Sequence, residues 1–65
     1  MTEEAKTLNG IKRWLKLEGN TTSIMAASLG FRCSVTINKW LERKRIPPYH
    51  VPHVQSFLRK DGIEL

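Results

Sequence analysis

The segment Ser23–Trp40, SIMAASLGFRCSVTINKW, decides how this chain of 65 residues folds. It contains two runs in which apolar side chains recur with helical spacing, and a glycine at position 30 separates them. Gly30 can adopt the positive φ angle that a tight turn at the end of a helix requires. The segment therefore predicts a short helix, a turn and a second helix.

The second of these helices is predicted to have an apolar and a polar side. It covers about residues 34–45 with Cys33 or Ser34 as its cap, and it ends there because Pro47 and Pro48 cannot continue it. With 100° of rotation per residue, the apolar side consists of Ile37, Trp40, Leu41 and the aliphatic stem of Lys44. The opposite side consists of Val35, Asn38, Lys39 and Glu42, with Thr36 and Arg43 at its margins.

Two further helices are predicted on either side of this segment. The first covers about residues 8–18, with Thr7 as candidate N-cap and Gly19 after its end, while residues 1–6 fray or extend it. The last covers residues 51 to 59 or 60, with a proline in its first turn. The short helix between them begins after Thr21 or Thr22. No run alternates like a strand, so we expect a single all-α domain of four helices over residues 1–65.

Positive charge is concentrated around the polar helix. The net charge is +5, and residues 32–45 carry +4 of it, because five Lys or Arg residues there are opposed only by Glu42. Such a patch is typical of a surface that binds a polyanion, although charge alone is equally compatible with an ordinary solvated face. RNA is the less favoured polyanion, because the deep, narrow groove of an A-form duplex excludes a helix.

The sequence disfavours several other classes of protein. Its N-terminal residues are acidic and no apolar run is long enough to span a bilayer, so we expect a cytoplasmic protein without a membrane partner. Cys33, His50 and His53 would give a metal three ligands and no fourth, so we expect no metal and no cofactor. No nucleophile or pair of carboxylates is placed for catalysis, and we expect neither enzymatic activity nor a small-molecule ligand.

A short helix, a glycine turn and a helix with a polar outer side together indicate a helix-turn-helix, whose second helix enters the major groove of DNA. Ala26 is the small residue that such a motif needs where its two backbones approach. The apolar residues that can fix the angle between the helices are Met25, Leu29, Phe31, Ile37 and Trp40. In AASLGF (26–31), INKW (37–40) and RIPP (45–48), the chain resembles the lambda-repressor-like helix-turn-helix regulators, particularly small phage Cro-type and YdaS-like proteins.

This resemblance implies a bacterial, phage or prophage transcription regulator, such as a Cro-like repressor. It would bind a palindromic operator in double-stranded DNA as a homodimer and would be associated with the nucleoid when bound. One feature departs from the family, because Ile37 and Trp40 follow Gly30 one residue later than the usual spacing places them. We therefore expect a slightly lengthened turn near Phe31 and Arg32, and we align the family's roles on INKW.

On this alignment, the resemblance implies base contacts from Ser34, Val35, Thr36, Asn38 and Lys39. The chemistry agrees, because Asn can bind adenine through N6 and N7, Lys can donate to guanine, and the methyl groups of Val or Thr can contact thymine. Thr22 and Ser23 are expected to present hydroxyl groups to a phosphate. Further candidate phosphate contacts are Arg32, Arg43, Lys44, Arg45 and Tyr49.

The fourth helix and the C-terminal tail supply a candidate dimer interface. Its residues are Val54, Phe57, Leu58, Ile63 and Leu65, which exceed what a small four-helix core obviously needs. The alternative is that these side chains close the core of a single chain against the first helix, and the sequence favours neither.

Two other functions remain open at the level of sequence. An architectural or excisionase-like factor that bends DNA would need the same groove-reading helix as a repressor. An antitoxin-like protein-interaction module could use the same scaffold without DNA, but the basic cluster in residues 32–45 argues against it.

Overall fold

The first helix begins almost at the start of the chain because Thr2 caps it. The computed structural model describes residues 2–65. Helix α1 covers Glu3–Leu15, and the Ala5 backbone N–H donates to the Thr2 hydroxyl oxygen over 3.1 Å. Two glutamates in the first turn also favour this start, since negative charge stabilises the N-terminus of a helix. The prediction that Thr7 caps the helix is wrong, and residues 3–7 extend it.

The remaining helices follow in the predicted order. Helix α2 covers Thr22–Ser28, helix α3 covers Val35–Arg43 and helix α4 covers Val51–Lys60. A 3₁₀ turn at Pro48–His50 precedes α4. No strand occurs within residues 2–65. The predicted all-helical domain with four helices is therefore confirmed.

Local sequence explains where α2 and α3 begin and end. Thr21 caps α2, because its hydroxyl oxygen accepts the backbone N–H of Ile24 at 3.2 Å. Gly30, with a φ of +87°, then turns the chain away from the helix axis. Helix α3 ends at Arg43, and its C-cap Lys44 adopts a left-handed conformation with a φ of 56°. Because a side chain disfavours that conformation, the turn costs about 1 kcal/mol relative to glycine.

One core joins two pairs of helices. Helix α1 packs against α4, and α2 packs against α3. Ile46 is only 1% exposed and fills the core from the extended segment before the 3₁₀ turn. The buried apolar side chains are Leu8, Ile11, Trp14, Met25, Ala26, Leu29, Ile37, Trp40, Ile46, Val51, Val54 and Leu58.

Gly10 makes the close packing of the C-terminal tail on α1 possible. A Cβ atom at this position would lie 2.6 Å from Cδ2 of Leu65 and 2.8 Å from Cδ1 of Leu58. Glycine weakens a helix by about 1 kcal/mol relative to alanine, but here it removes an overlap with two neighbouring side chains. The tail therefore lies on α1 at a point where the helix has no side chain.

A buried polar network connects α1 with α4. The Thr7 hydroxyl donates to the Glu3 carbonyl oxygen at 2.7 Å, within α1. The Gln55 amide donates from α4 to the Thr7 hydroxyl oxygen at 3.0 Å and to the Glu3 carboxylate at 2.8 Å. Thr7 and Gln55 are both buried, so each of these bonds satisfies a polar group that is removed from water.

This network makes the stability of the domain depend on the charge of Glu3. The Gln55 amide, and then the nearby Lys6 ammonium, hold the pKa of the Glu3 carboxyl below its ordinary value of 4.5. The ionised carboxylate is therefore favoured in the folded state. Its stabilising contribution is complete above the pKa of the unfolded chain and is lost as the pH falls through the lower folded pKa.

We expect the free energy of unfolding to fall more steeply with acidification in the wild type than in Glu3→Gln. The glutamine has no charge to titrate. The difference in free energy of unfolding between the wild type and Glu3→Gln should therefore shrink as the pH drops below 4.5. Urea denaturation at a series of pH values from neutral to acidic measures this difference. A difference that stays constant across the series would contradict the assignment.

Candidate nucleic-acid interface

Helix α3 divides into a buried and an exposed side, as its sequence predicts. Ile37 has no exposed surface and Trp40 is 5% exposed, because both enter the core. On the other side Asn38 and Lys39 are exposed, and Val35 retains 51% of its surface. Three of the five side chains predicted to read bases, Val35, Asn38 and Lys39, are therefore free of the protein's own packing.

The beginning of α3 carries the remaining predicted base contacts. Ser34, and not Cys33, occupies the N-cap position of α3. Its side chain makes no capping hydrogen bond. Ser34 and Thr36 are both half-buried, whereas Cys33 is exposed. The first turn of α3 thus presents short polar side chains at the edge of the exposed side.

The basic residues of segment 32–45 are exposed. Arg32, Arg43, Lys44 and Arg45 all reach solvent, and within residues 2–65 none of them forms an ion pair with an acidic side chain. Tyr49, beyond the end of α3, is 77% exposed. Since no carboxylate of the described chain neutralises these cations, their charge is available to an external anion.

Three of the cations surround an open cleft of about 370 Å³ beside α3. Lys39, Arg43 and Arg45 line it together with Thr36. Its apolar wall is formed by Trp40, Ile46, Pro47 and Pro48. The cleft places a predicted base contact, Lys39, beside two predicted phosphate contacts, Arg43 and Arg45.

A second, smaller cleft brings α2 close to the start of α3. Ser23 of α2 lines this space of about 270 Å³ together with Arg32 and Ser34. Thr22, the other predicted contact on α2, is half-buried, and Thr21 rather than Thr22 is the helix cap. The structure therefore places Ser23, Arg32 and Ser34 around one space, and Thr22 at the first position of α2.

An aromatic cluster that the sequence did not predict packs next to this surface. The His50 ring lies 5.3 Å from both Phe31 and Trp40, measured between ring centroids, and 4.2 Å from Tyr49. Phe31 and Trp40 also meet edge to face at 5.7 Å. The cluster fixes the α2–α3 connection against the end of α3. Its members come from separate parts of the chain, so no local sequence pattern predicts the cluster.

Two of the five residues of the predicted dimer interface are buried inside the chain. Val54 is 1% exposed and Leu58 has no exposed surface, so the prediction is wrong for these two residues. A side chain that the fold already covers has no surface left for a second chain. Phe57, Ile63 and Leu65 are half-buried and pack against the same core. The tail closes the core against α1, which is the alternative that the sequence left open.

His50 belongs to the aromatic cluster, and within residues 2–65 no three His, Cys, Asp or Glu side chains are grouped closely enough to hold a metal ion. None of the helices in this range has the length and apolar character needed to cross a bilayer.

Comparisons with known proteins give no relative from which a role could be transferred. No protein-family model, no curated protein and no solved structure matches the chain. The arrangement of side chains around α3 is consequently the basis for assigning a function.

Proposed function

We propose that this domain binds double-stranded DNA in a sequence-specific manner, with α3 in the major groove, and acts as a small transcription regulator. The observation that carries this proposal is the division of α3. Ile37 and Trp40 are buried, while Asn38 and Lys39 on the other side are exposed beside unpaired arginines. A helix that is fixed by its apolar side and polar on its free side fits the groove of B-form DNA.

The exposed side has the chemistry needed to distinguish bases. The Asn38 amide can pair with N6 and N7 of adenine, and the Lys39 ammonium can donate to guanine. Val35 offers 51% of its surface for apolar contact with a thymine methyl group. Ser34 and Thr36, at the beginning of the helix, complete the set of proposed base contacts.

The surrounding residues are suited to hold the phosphate backbone. The Arg43 and Arg45 guanidinium groups border the cleft beside α3, and Arg32 lies with Ser23 in the smaller cleft. Phosphate contacts of this kind position a protein on the duplex and supply most of the affinity that is independent of sequence. The remaining proposed phosphate contacts are Thr22, Lys44 and Tyr49.

We further propose that α2 and α3 act together as a helix-turn-helix of the lambda-repressor-like type. The two helices pack against each other, and the connection between them begins at Gly30, which has a positive φ. In that motif the first helix braces the second across the backbone. The positions of Ser23 and Arg32 near the start of α3 agree with such a role.

The direct test is selection of bound duplexes from a pool of random sequences, followed by titration of the selected duplex. We expect one motif to be enriched, and an inverted repeat of it would indicate two-fold pairing of chains on DNA. Affinity for the selected duplex should also fall with salt, because cations of the protein replace counterions on the DNA. Recovery of a pool with no enriched motif would contradict sequence-specific binding.

A further inference from the structure

A second basic surface lies on α1, away from the proposed DNA-reading helix. An open cleft of about 670 Å³ runs along this helix and is lined by four cationic side chains and one acidic residue, Glu64. The cations are Lys6, Lys12, Arg13 and Lys16. They are exposed because the other side of α1 is occupied by Leu8, Ile11 and Trp14, which enter the core.

Two of these cations have no ion-pair partner among residues 2–65. Lys6 lies 3.7 Å from the Glu3 carboxylate, and the Arg13 guanidinium donates to the backbone oxygen of Glu64. Lys12 and Lys16 form no ion pair within residues 2–65. Lys16 is the C-cap of α1 and lies four residues after Lys12, so the two ammonium groups repel each other. An anion between them would remove that repulsion.

This surface is separate from the one on α3. The two clefts share no lining residue. Helix α1 packs on α4, whereas α3 packs on α2, so the surfaces belong to different helix pairs of the domain. One chain therefore carries two separate positively charged surfaces.

We propose that the α1 surface binds the phosphate backbone of a second duplex segment, so that one domain bridges two stretches of DNA. This inference rests on the proposed function for the first duplex. The stripe from Lys6 to Lys16 extends about 15 Å along the helix, and the same length of duplex axis contains about four phosphates of one strand. The α1 surface would bind any sequence, because its cations face phosphates and not base edges.

The composition of the cleft favours DNA over an acidic protein. Protein interfaces are depleted in lysine and enriched in aromatic residues at their centres. Three of the four cations here are lysines, and among residues 2–65 no aromatic residue lines the cleft and Leu65 is its apolar member. Contacts with phosphates need no apolar centre, since the release of counterions supplies the affinity.

Capture of a second duplex on an immobilised first duplex tests the bridge. The selected duplex is fixed to a surface, the protein is bound, and a labelled duplex of unrelated sequence is added. We expect the wild type to retain the labelled duplex. Lys12→Gln/Lys16→Gln should lose most of this capture. For binding of the labelled duplex, its slope of log affinity against log salt should be smaller by about 2. Its affinity for the selected duplex should not change. The matched control is Arg59→Gln/Lys60→Gln, which removes the same charge from exposed positions on α4 and should retain capture.

Each of the other outcomes contradicts the bridge in a recognisable way. No capture by the wild type, or equal capture by both double variants, overturns it while sequence-specific binding stands. A weaker affinity of the α1 variant for the selected duplex would place α1 on the same DNA segment as α3. Capture of labelled polyglutamate and not of the duplex would assign the surface to an acidic protein. Failure of the wild type to bind any duplex overturns the proposed function as well.

Discussion

Replacing Trp14 with alanine is expected to unfold most of the domain at room temperature. The Trp14 side chain is 1% exposed and meets the Phe57 ring edge to face, with 5.3 Å between centroids. Removing a buried tryptophan side chain costs about 3–5 kcal/mol, and a core of this size supplies about the same amount in total. Far-ultraviolet circular dichroism of the variant should show a large loss of helix.

Two milder variants separate the packing of Trp14 from its hydrogen bond. The indole Nε1–H donates to the Asp61 carboxylate at 2.8 Å, which ties α1 to the end of α4. Trp14→Phe keeps most of the ring volume and leaves the exposed Asp61 to water, so it should lower the free energy of unfolding by about 1–2 kcal/mol. Asp61→Ala leaves a buried donor without its partner and should cost about 1–3 kcal/mol.

Urea denaturation ranks the three variants by their free energy of unfolding. Trp14→Ala should be by far the least stable, and the other two should remain folded with an unchanged dependence on urea. If Trp14→Ala were as stable as Trp14→Phe, the ring would contribute little to the core. The packing of α1 against α4 would then depend on other residues.

The sequence predicted most of the helical pattern because local signals specify it. Gly30, Pro47 and Pro52 restrict the backbone directly, so the ends of α2 and α3 and the start of α4 could be anticipated. The start of α1 could not, because Thr2 and Thr7 are equally good caps by residue type. The buried partner Gln55, 48 residues later in the chain, explains why Thr7 lies inside the helix.

Contacts between distant segments account for the other differences between the predicted and the observed structure. The tail packs on α1 through Gly10, whose role depends on Leu58 and Leu65 and not on helix propensity. The same packing covers Val54 and Leu58, which sequence alone left equally available for a dimer. The His50 ring contacts depend likewise on bringing α2, α3 and the 3₁₀ turn together. Periodicity within one helix contains no information about such contacts.

The exposed side of α3 was predictable for the opposite reason. Two large apolar residues three positions apart, Ile37 and Trp40, fix the rotation of the helix about its axis. Asn38 and Lys39 follow on the free side from geometry alone. The clefts were not predictable, because Arg45, Ile46 and Ser23 reach them from segments outside α3.

Asn38→Ala should weaken binding to the selected duplex by about 1–3 kcal/mol, which is about 5- to 150-fold in Kd. Asn38 is exposed and makes no side-chain hydrogen bond within residues 2–65, so its removal should leave the fold unchanged. Affinity for random duplexes should stay the same, because the lost bonds go to a base and not to a phosphate. Fluorescence anisotropy with both duplexes measures the two affinities.

Arg43→Gln is expected to behave differently from Asn38→Ala, because a contact with phosphate contributes to binding of every DNA sequence. It should weaken binding to both duplexes alike and lower the slope of log affinity against log salt by about 1. Ser56→Ala, an exposed polar residue on α4 outside both clefts of the interface, should change neither affinity. An equal loss on selected and random DNA for Asn38→Ala would remove its role in reading bases. A loss confined to the selected duplex for Arg43→Gln would move that residue from the backbone to a base.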